Sequence, residues 1–385
     1  MPERLTVICL LVGGAALLPF FARRYDVPSA VLEILFGMVL FHTVLPAKPE
    51  WFDFLKDLGF IYLMFIAGME LDLKVLVRNT RVCWYALIPA LSLLLTPLFF
   101  FLSGYPVYVG IALSMISAGI AFPVLKEAGL VKHEFGRHVV GVTLAGELLS
   151  IVVLMVLDIT RRYGVSFLLL VEVVKLVGLL ALAAFALRLI YVIAWWNPVR
   201  VKKVMESNDP VEEGMRIAIT VVFVGALIAY GAGVEPIIGS FMAGVIFTFV
   251  FRNKSRFEEK INALGFGFFV PFFFIGVGAD FDVRLLFSAR EILLALLMAG
   301  VIFASNLPAV FLKHFLGLTL KEGLLMTLLL SAPLSMIVVA GTVGAKIGLI
   351  DTGMKNTLVL SALFASVLYP FLFRTFARRS FPVGE

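Results

Sequence analysis

The chain has 385 residues, 61% of them hydrophobic and 15% charged, with a mean hydropathy of +1.05; this excludes an ordinary soluble domain and marks a polytopic membrane protein. A net charge of +6 would suggest nucleic acid in a soluble chain, but the basic residues sit in short loops between apolar runs, so no nucleic-acid partner is expected. The two cysteines, Cys9 and Cys83, lie in apolar segments and exclude a disulfide framework or a thiolate metal centre.

The first apolar run, Leu5 to Ala22, is followed rather than preceded by its basic pair, Arg23-Arg24, and reads as a retained span, not a leader. At about 20 apolar residues per helix, thirteen spans are expected in an all-α protein. They lie near residues 4–22, 29–46, 54–72, 82–103, 107–126, 138–159, 166–194, 216–232, 236–251, 263–280, 291–312, 321–345 and 355–374. Counting Lys and Arg on alternate sides gives 21 against 9. The positive-inside rule then places the amino terminus outside and the carboxyl terminus inside, in the inner (cytoplasmic) membrane.

The chain repeats itself. Val27-Pro28-Ser29 through Phe36-Gly37 is echoed by Val234-Glu235-Pro236 through Ala243-Gly244, and Leu58-Gly59-Phe60 by Leu264-Gly265-Phe266. Gly68-Met69-Glu70-Leu71-Asp72-Leu73-Lys74 is echoed by Gly278-Ala279-Asp280-Phe281-Asp282-Val283-Arg284, and the three offsets are 208, 206 and 210 residues. This gives one transporter domain: a first repeat over residues 1–160, a linker helix in 161–215 and a second repeat over 216–378. Seven spans separate equivalent helices, so the second repeat is inverted, the arrangement common to secondary transporters.

Within the apolar run from Val139 to Leu157 stands one carboxylate, Glu147. A charge at such depth costs roughly 3 kcal/mol or more and marks a group able to exchange its charge for a proton or a cation. Span 5 holds Ser117, Gly119 and Pro123; its repeat partner, span 12, holds Ser331, Pro333 and Ser335. Gly and Pro at corresponding positions point to two crossing discontinuous helices whose free backbone groups face a ligand. Glu147, Ser117, Ser331 and Ser335 are therefore the expected ion ligands.

The run from Ser117 to Ser150, with Phe122-Pro123-Val124-Leu125-Lys126-Glu127-Ala128-Gly129-Leu130, Arg137 and Gly146-Glu147, resembles the bacterial monovalent cation:proton antiporters of the Kef/Nap type. So do the runs Phe60 to Asp72 and Phe268 to Gly278. The resemblance implies a thirteen-helix, usually dimeric fold. Spans 4–6 and 11–13 would form a core moving like an elevator against a panel of spans 1–3 and 8–10. It puts Glu147 on the family's carrier aspartate and Gly146 where relatives have Asp, Asn or Gln. Ile116-Ser117 stands for a Thr-Ser pair, and Ser305 and Asn306 occupy the stretch where span 11 often carries Lys or Arg. Glu147 is then expected to be the sole titrating group of the core, which makes exchange of Na⁺, K⁺ or Li⁺ for H⁺ electroneutral. Ser150 is a further supporting position. Relatives often append a nucleotide-binding domain; with the chain ending at Glu385, such regulation would need a separate subunit. No cofactor is expected.

Other polar residues read as structural. Glu33 is taken as a packing partner, Glu172 and Lys175 as an intrahelical pair, and Glu70, Asp72, Asp280 and Asp282 as solvated acids at helix ends. His42, His133, His138 and His314 are scattered at span margins. Trp51, Trp84, Trp195 and Trp196 fit an interfacial belt. Two alternative functions stand beside the antiporter: a sodium-coupled organic-anion symporter on a related fold, and a sensor that has kept the scaffold and lost exchange. No Ser/His/Asp set supports an enzyme.

Overall fold

The structure, a computed structural model, describes residues 2–25, 27–45, 48–70, 82–131, 133–163, 213–231, 236–250 and 255–380, with the isolated positions 171, 174, 178 and 185. The expected linker span, Asp72, Glu172, Lys175, Trp195, Trp196 and Val234-Glu235 lie outside these residues. Among the described residues every regular element is helical. In chain order they are α1 (Pro2–Tyr25), α2 (Ser29–Val39), α3 (Glu50–Glu70), α4 (Val82–Leu102), α5 (Val107–Leu113), α6 (Ala118–Glu127), α7 (Glu134–Tyr163), α8 (Glu213–Gly231) and α9 (Pro236–Val250). Then come α10 (Ser255–Leu264), α11 (Val270–Ala279), α12 (Ala289–Ser305), α13 (Pro308–Phe311), α14 (Lys313–Leu316), α15 (Leu320–Leu330), α16 (Leu334–Lys346) and α17 (Thr352–Ser380).

Seven of the described helices are long and apolar enough to cross a membrane, and α15 with α16, bent by 44°, form an eighth span if taken together. Four of the expected spans, 2, 5, 10 and 12, have interrupted helices, with wide turns at Leu40–Val44 and Gly265–Phe269 and breaks after Leu113 and Leu330.

Two compact units are built from interleaved stretches. The first takes Met1–Ala22, Leu32–Asp72 and Ile159–Asp280, and the second Arg23–Val31, Leu73–Asp158 and Phe281–Glu385. The described helices of spans 1–3 and 8–10 thus fall mainly in the first unit. Those of spans 4–6 and 11–13 fall mainly in the second.

In the first unit, glycines let helices meet backbone to backbone. A Cβ on Gly68 of α3 would collide with the Phe241 carbonyl of α9, and one on Gly244 with the Phe65 carbonyl. The crossing of α2 with α11 repeats this: Gly37 faces the Ile275 carbonyl and Gly278 the Ile34 carbonyl. Gly37 and Ile34 map onto Gly244 and Phe241 at one offset, 207, and Gly68 and Phe65 onto Gly278 and Ile275 at another, 210. The two contacts are therefore the same contact made twice, as small residues permit in membrane helices. Stacked rings, Phe60 on Phe273 at 4.6 Å and Tyr62 on Phe269 at 4.8 Å, fill the space beside them.

Asp280 departs from the expected solvated acid. Lys48 and Lys56 both bond to it, at 2.5 and 2.7 Å, and both also reach Asp53, at 2.7 and 3.3 Å. Burial works to raise the Asp280 carboxyl, but the bonds from Lys48 and Lys56 outweigh it and hold its pKa below the ordinary 3.8. A depressed acid contributes stability that is complete above its unfolded pKa and is lost as pH falls through its folded value. Asp280→Asn should therefore lower stability by about 1–2 kcal/mol near neutrality, a value between exposed and buried pairs because these groups keep part of their surface. The melting difference from wild type should shrink as pH falls below about 4; a constant difference down to pH 3 would contradict the ion-pair account.

In the second unit two helices are broken. At α15/α16, Pro333 lacks an N–H donor and precedes the first residue of α16. At α5/α6 the break falls at residues 114–117, upstream of Pro123, which lies within α6. Serine, not proline, ends α5. The Ser114 N–H bonds back to Gly110 and Ile111, and its hydroxyl donates to the Ile111 carbonyl at 2.9 Å, competing with continued helix. The Tyr108 hydroxyl donates to the Ala340 carbonyl at 2.7 Å and fixes α5 on α16; that of Tyr369 donates to Ala299 at 2.6 Å and fixes α17 on α12. A capping box of Thr319 and Glu322 opens α15.

Candidate functional site

Glu147 lies midway along α7, and its residue is 3% exposed. The Ser117 hydroxyl donates to Glu147 Oε1 at 3.3 Å and stands 2.8 Å from the Ser335 hydroxyl. Ser117 immediately precedes α6 and receives the Gly119 N–H at 3.4 Å, while Ser335 is in the first turn of α16. The carboxylate thus meets the hydroxyl at the amino end of one second half-helix and, through it, that of the other. Each such end carries about half a positive charge, which favours an anion there.

These hydroxyls suit both charge states. When Glu147 is ionised, Ser117 donates to it and accepts from Ser335. When it is protonated, its own O–H can donate to Ser117, which turns its hydrogen toward Ser335. Oxygen atoms of this kind are also the ligands a hard cation takes.

Of the other expected positions, Ser150 accepts the Ile116 N–H at 3.2 Å and ties the first break to α7. Ser331 does not join Ser117 and Ser335: its hydroxyl donates to the Thr327 carbonyl at 2.7 Å and receives the Asn306 amide at 3.3 Å. Ser305 donates to the Leu113 carbonyl at 3.3 Å. Ser331, Ser305 and Asn306 form a second buried polar group at the carboxyl ends of α5 and α15. Gly119 leaves the hydroxyls uncovered, since a Cβ there would lie 3.4 Å from Ser335 Oγ. Pro333 sets the second break, and of Pro123 only the backbone, helical, is described.

Gly146 and Ile116 turn out to be one feature. A Cβ at position 146 would stand 2.8 Å from Ile116 Cβ and 3.0 Å from Cδ1 and Cγ2, so the isoleucine fills the place of the missing side chain. The branched Cβ cannot swing aside as a chain end can. Gly146→Ala should therefore cost about 1–3 kcal/mol, and Ile116→Ala in the same chain should recover most of it. Additive effects in a double-mutant cycle, read by thermal melting, would contradict the contact.

Sequence reasoning passed over Asp158. It lies eleven residues beyond Glu147 on α7, returns to nearly the same helical face and is 1% exposed. Glu147 is thus not the only buried acid of that helix, contrary to expectation. At 1.5 Å per residue the two Cα atoms are about 16 Å apart, too far to share one ion. Its place near the end of the expected span concealed it, although the helix runs on to Tyr163. Glu33 is also buried, but in the first unit.

Comparison with known proteins finds similarity to sodium/proton antiporters. The putative Na⁺/H⁺ antiporter YjbQ of Bacillus subtilis is 27% identical over 97% of this chain, which spans 63% of that relative's length. The probable Na⁺/H⁺ antiporter 3 of Methanocaldococcus jannaschii is 24% identical, with 94% of each protein covered. The Na⁺/H⁺ antiporter of Enterococcus hirae is 24% identical over 98% of this chain and 99% of its own. The solved structure of the sodium proton antiporter MjNhaP1 from Methanocaldococcus jannaschii shares the fold, with a TM-score of 0.66 over 98% of both chains at 17% identity. The family model described as sodium/hydrogen exchanger, transmembrane, matches residues 9–379, and the chain belongs to that family.

Proposed function

We propose that this protein is a secondary antiporter in which a monovalent cation, Na⁺, K⁺ or Li⁺, and a proton compete for Glu147. The observation that carries the reading is a buried carboxylate in mid-helix, bonded to a serine at the break of one discontinuous helix and through it to a serine of the other. A proton and a cation cannot both occupy the one carboxylate, so binding of either expels the other. The names of the relatives, all antiporters, support the same class.

The chain would be a multi-pass protein of the cytoplasmic membrane with thirteen spans in two inverted repeats (residues 1–160 and 216–378 about a linker in 161–215), amino terminus outside. The duplicated glycine crossings support that symmetry. The second unit, which carries Glu147 and both breaks, would be the moving core of an elevator. The first would be the fixed panel of a homodimer. With Asp158 too distant to share the ion, one proton is exchanged for one cation. The carrier is then neutral in both loaded forms, and neutral is the cheaper state to move through a low-dielectric barrier.

In proteoliposomes, an Na⁺, K⁺ or Li⁺ gradient should drive proton flux, and Na⁺-driven flux should not change under an imposed membrane potential. A clear acceleration by voltage would refute the one-proton stoichiometry. Absence of flux with all three ions would favour the second reading, a sensor that has lost exchange, to which Ile116 filling the space beside Gly146 lends support.

A further inference from the structure

We propose that the buried turn at Ser305–Asn306 is a second monovalent-cation site, separate from Glu147. The turn touches the carboxyl ends of both first half-helices. Ser305 Oγ donates to the carbonyl of Leu113, the last residue of α5. Asn306 Nδ2 donates to the Ile302 carbonyl at 2.9 Å and to the hydroxyl of Ser331, the cap residue of α15. Thr327 Oγ1 closes the group by donating to the Asn306 carbonyl at 3.3 Å. Asn306, Ser331 and Thr327 are 0% exposed and Ser305 6%.

Two features of this turn call for a cation. Asn306 Oδ1 is buried and receives no hydrogen bond among the described residues. Its orientation is settled by the Ile302 carbonyl, which can only accept, so the amide nitrogen must face it. A buried acceptor left without a donor costs about 1–3 kcal/mol. The second feature is charge. Each helix carboxyl end carries a partial negative charge, and α5, α12 and α15 all end here. At the amino ends of α6 and α16 the opposite poles are answered by Glu147, but the sequence supplies no charged side chain between Ile292 and Leu312. A cation would offset these poles, and with no carboxylate in the group the charge to be met is partial, which suits a monovalent ion better than a divalent one. Amide, hydroxyl and backbone oxygens are the neutral donors that Na⁺ or K⁺ accepts.

The site is independent of whether Glu147 carries the transported ion, and the test separates the two. Purified full-length protein is melted in choline chloride and in NaCl or KCl at equal ionic strength, as wild type, Glu147→Gln, and Glu147→Gln combined with Asn306→Leu or with Asn306→Lys, so that any cation bound at position 147 is removed from the comparison. In the Glu147→Gln background Na⁺ or K⁺ should still raise the melting midpoint saturably by about 2 °C or more. Adding Asn306→Leu should abolish that rise. Adding Asn306→Lys, which tethers an ammonium to the turn, should make the protein melt alike in all three salts; it also decides the matter if the Asn306→Leu protein does not fold. Loss of the rise in Glu147→Gln alone, or its survival when Asn306→Lys is added, would overturn the proposal. So would a wild type indifferent to Na⁺ and K⁺, as expected if a water molecule satisfies Asn306 Oδ1.

Discussion

Glu147→Gln should abolish cation-driven proton movement while the protein still folds, and Glu147→Asp should retain a reduced rate. Glutamine keeps the volume of the side chain and can still accept from Ser117 Oγ, now 3.3 Å from Glu147 Oε1. It cannot titrate, so neither proton nor cation has a charge to exchange with. Removing a buried acid that is costly to ionise should leave the melting temperature equal or higher. Aspartate keeps the charge but draws the oxygens back by one methylene from Ser117. If that weakens cation binding by about 1.4 kcal/mol, affinity falls roughly tenfold, and the loss should appear in the half-saturating cation concentration. Exchange by the Gln variant at wild-type rate in proteoliposomes would remove Glu147 from the mechanism.

Gly68→Ala and Gly244→Ala should each destabilise the protein severely, by about 3 kcal/mol or more, the upper range for overpacking. At both positions the added methyl meets a carbonyl oxygen of the facing backbone rather than the end of a side chain. The only relief is to part α3 from α9. Gly37→Ala and Gly278→Ala should behave alike, because α2 and α11 make the matching contact. Gly13 in α1 and Gly300 in α12 supply the control: a Cβ on either meets nothing within 4 Å. Alanine there should be neutral or mildly stabilising, since glycine is the poorer helix former by up to about 1 kcal/mol. Equal melting temperatures for the two groups of variants would contradict the close crossings.

What the sequence disclosed of this architecture followed from local pattern. Apolar runs located the helices, and Gly37, Gly68, Gly244 and Gly278 announced the repeat before any contact was known. Glu147 stood out because a lone acid in an apolar run is costly wherever the chain leads. Pro333 marked the second break for a similar reason, a missing donor. The first break was legible only to within a few residues, since Ser114 and Ser117 divert the backbone through hydroxyl bonds that serines elsewhere make harmlessly.

The features that escaped are pairings between distant residues. Ile116 and Gly146 compensate each other in volume across 30 positions, and nothing in either segment alone reports it. Lys48 and Lys56 reach Asp280 across 232 and 224 residues, turning an expected solvated acid into a clamp. Ser331 was grouped with Ser335 by proximity in sequence, yet the two face opposite ends of the broken helix: one bonds to Asn306, the other to Ser117. Position relative to the break, not residue type, decides which pole a hydroxyl serves.

The claim that one carboxylate is shared by cation and proton is tested most directly by proton release on cation binding. Na⁺ is added to purified protein in weakly buffered detergent solution at a pH where the acid is largely protonated, and the released protons are counted against bound Na⁺. If Glu147 alone exchanges, wild type minus Glu147→Gln should give one proton per cation. Any cation held at the Ser305–Asn306 turn binds in both proteins without release and cancels in the difference. A difference of zero, with Na⁺ bound equally by both proteins, would contradict the account.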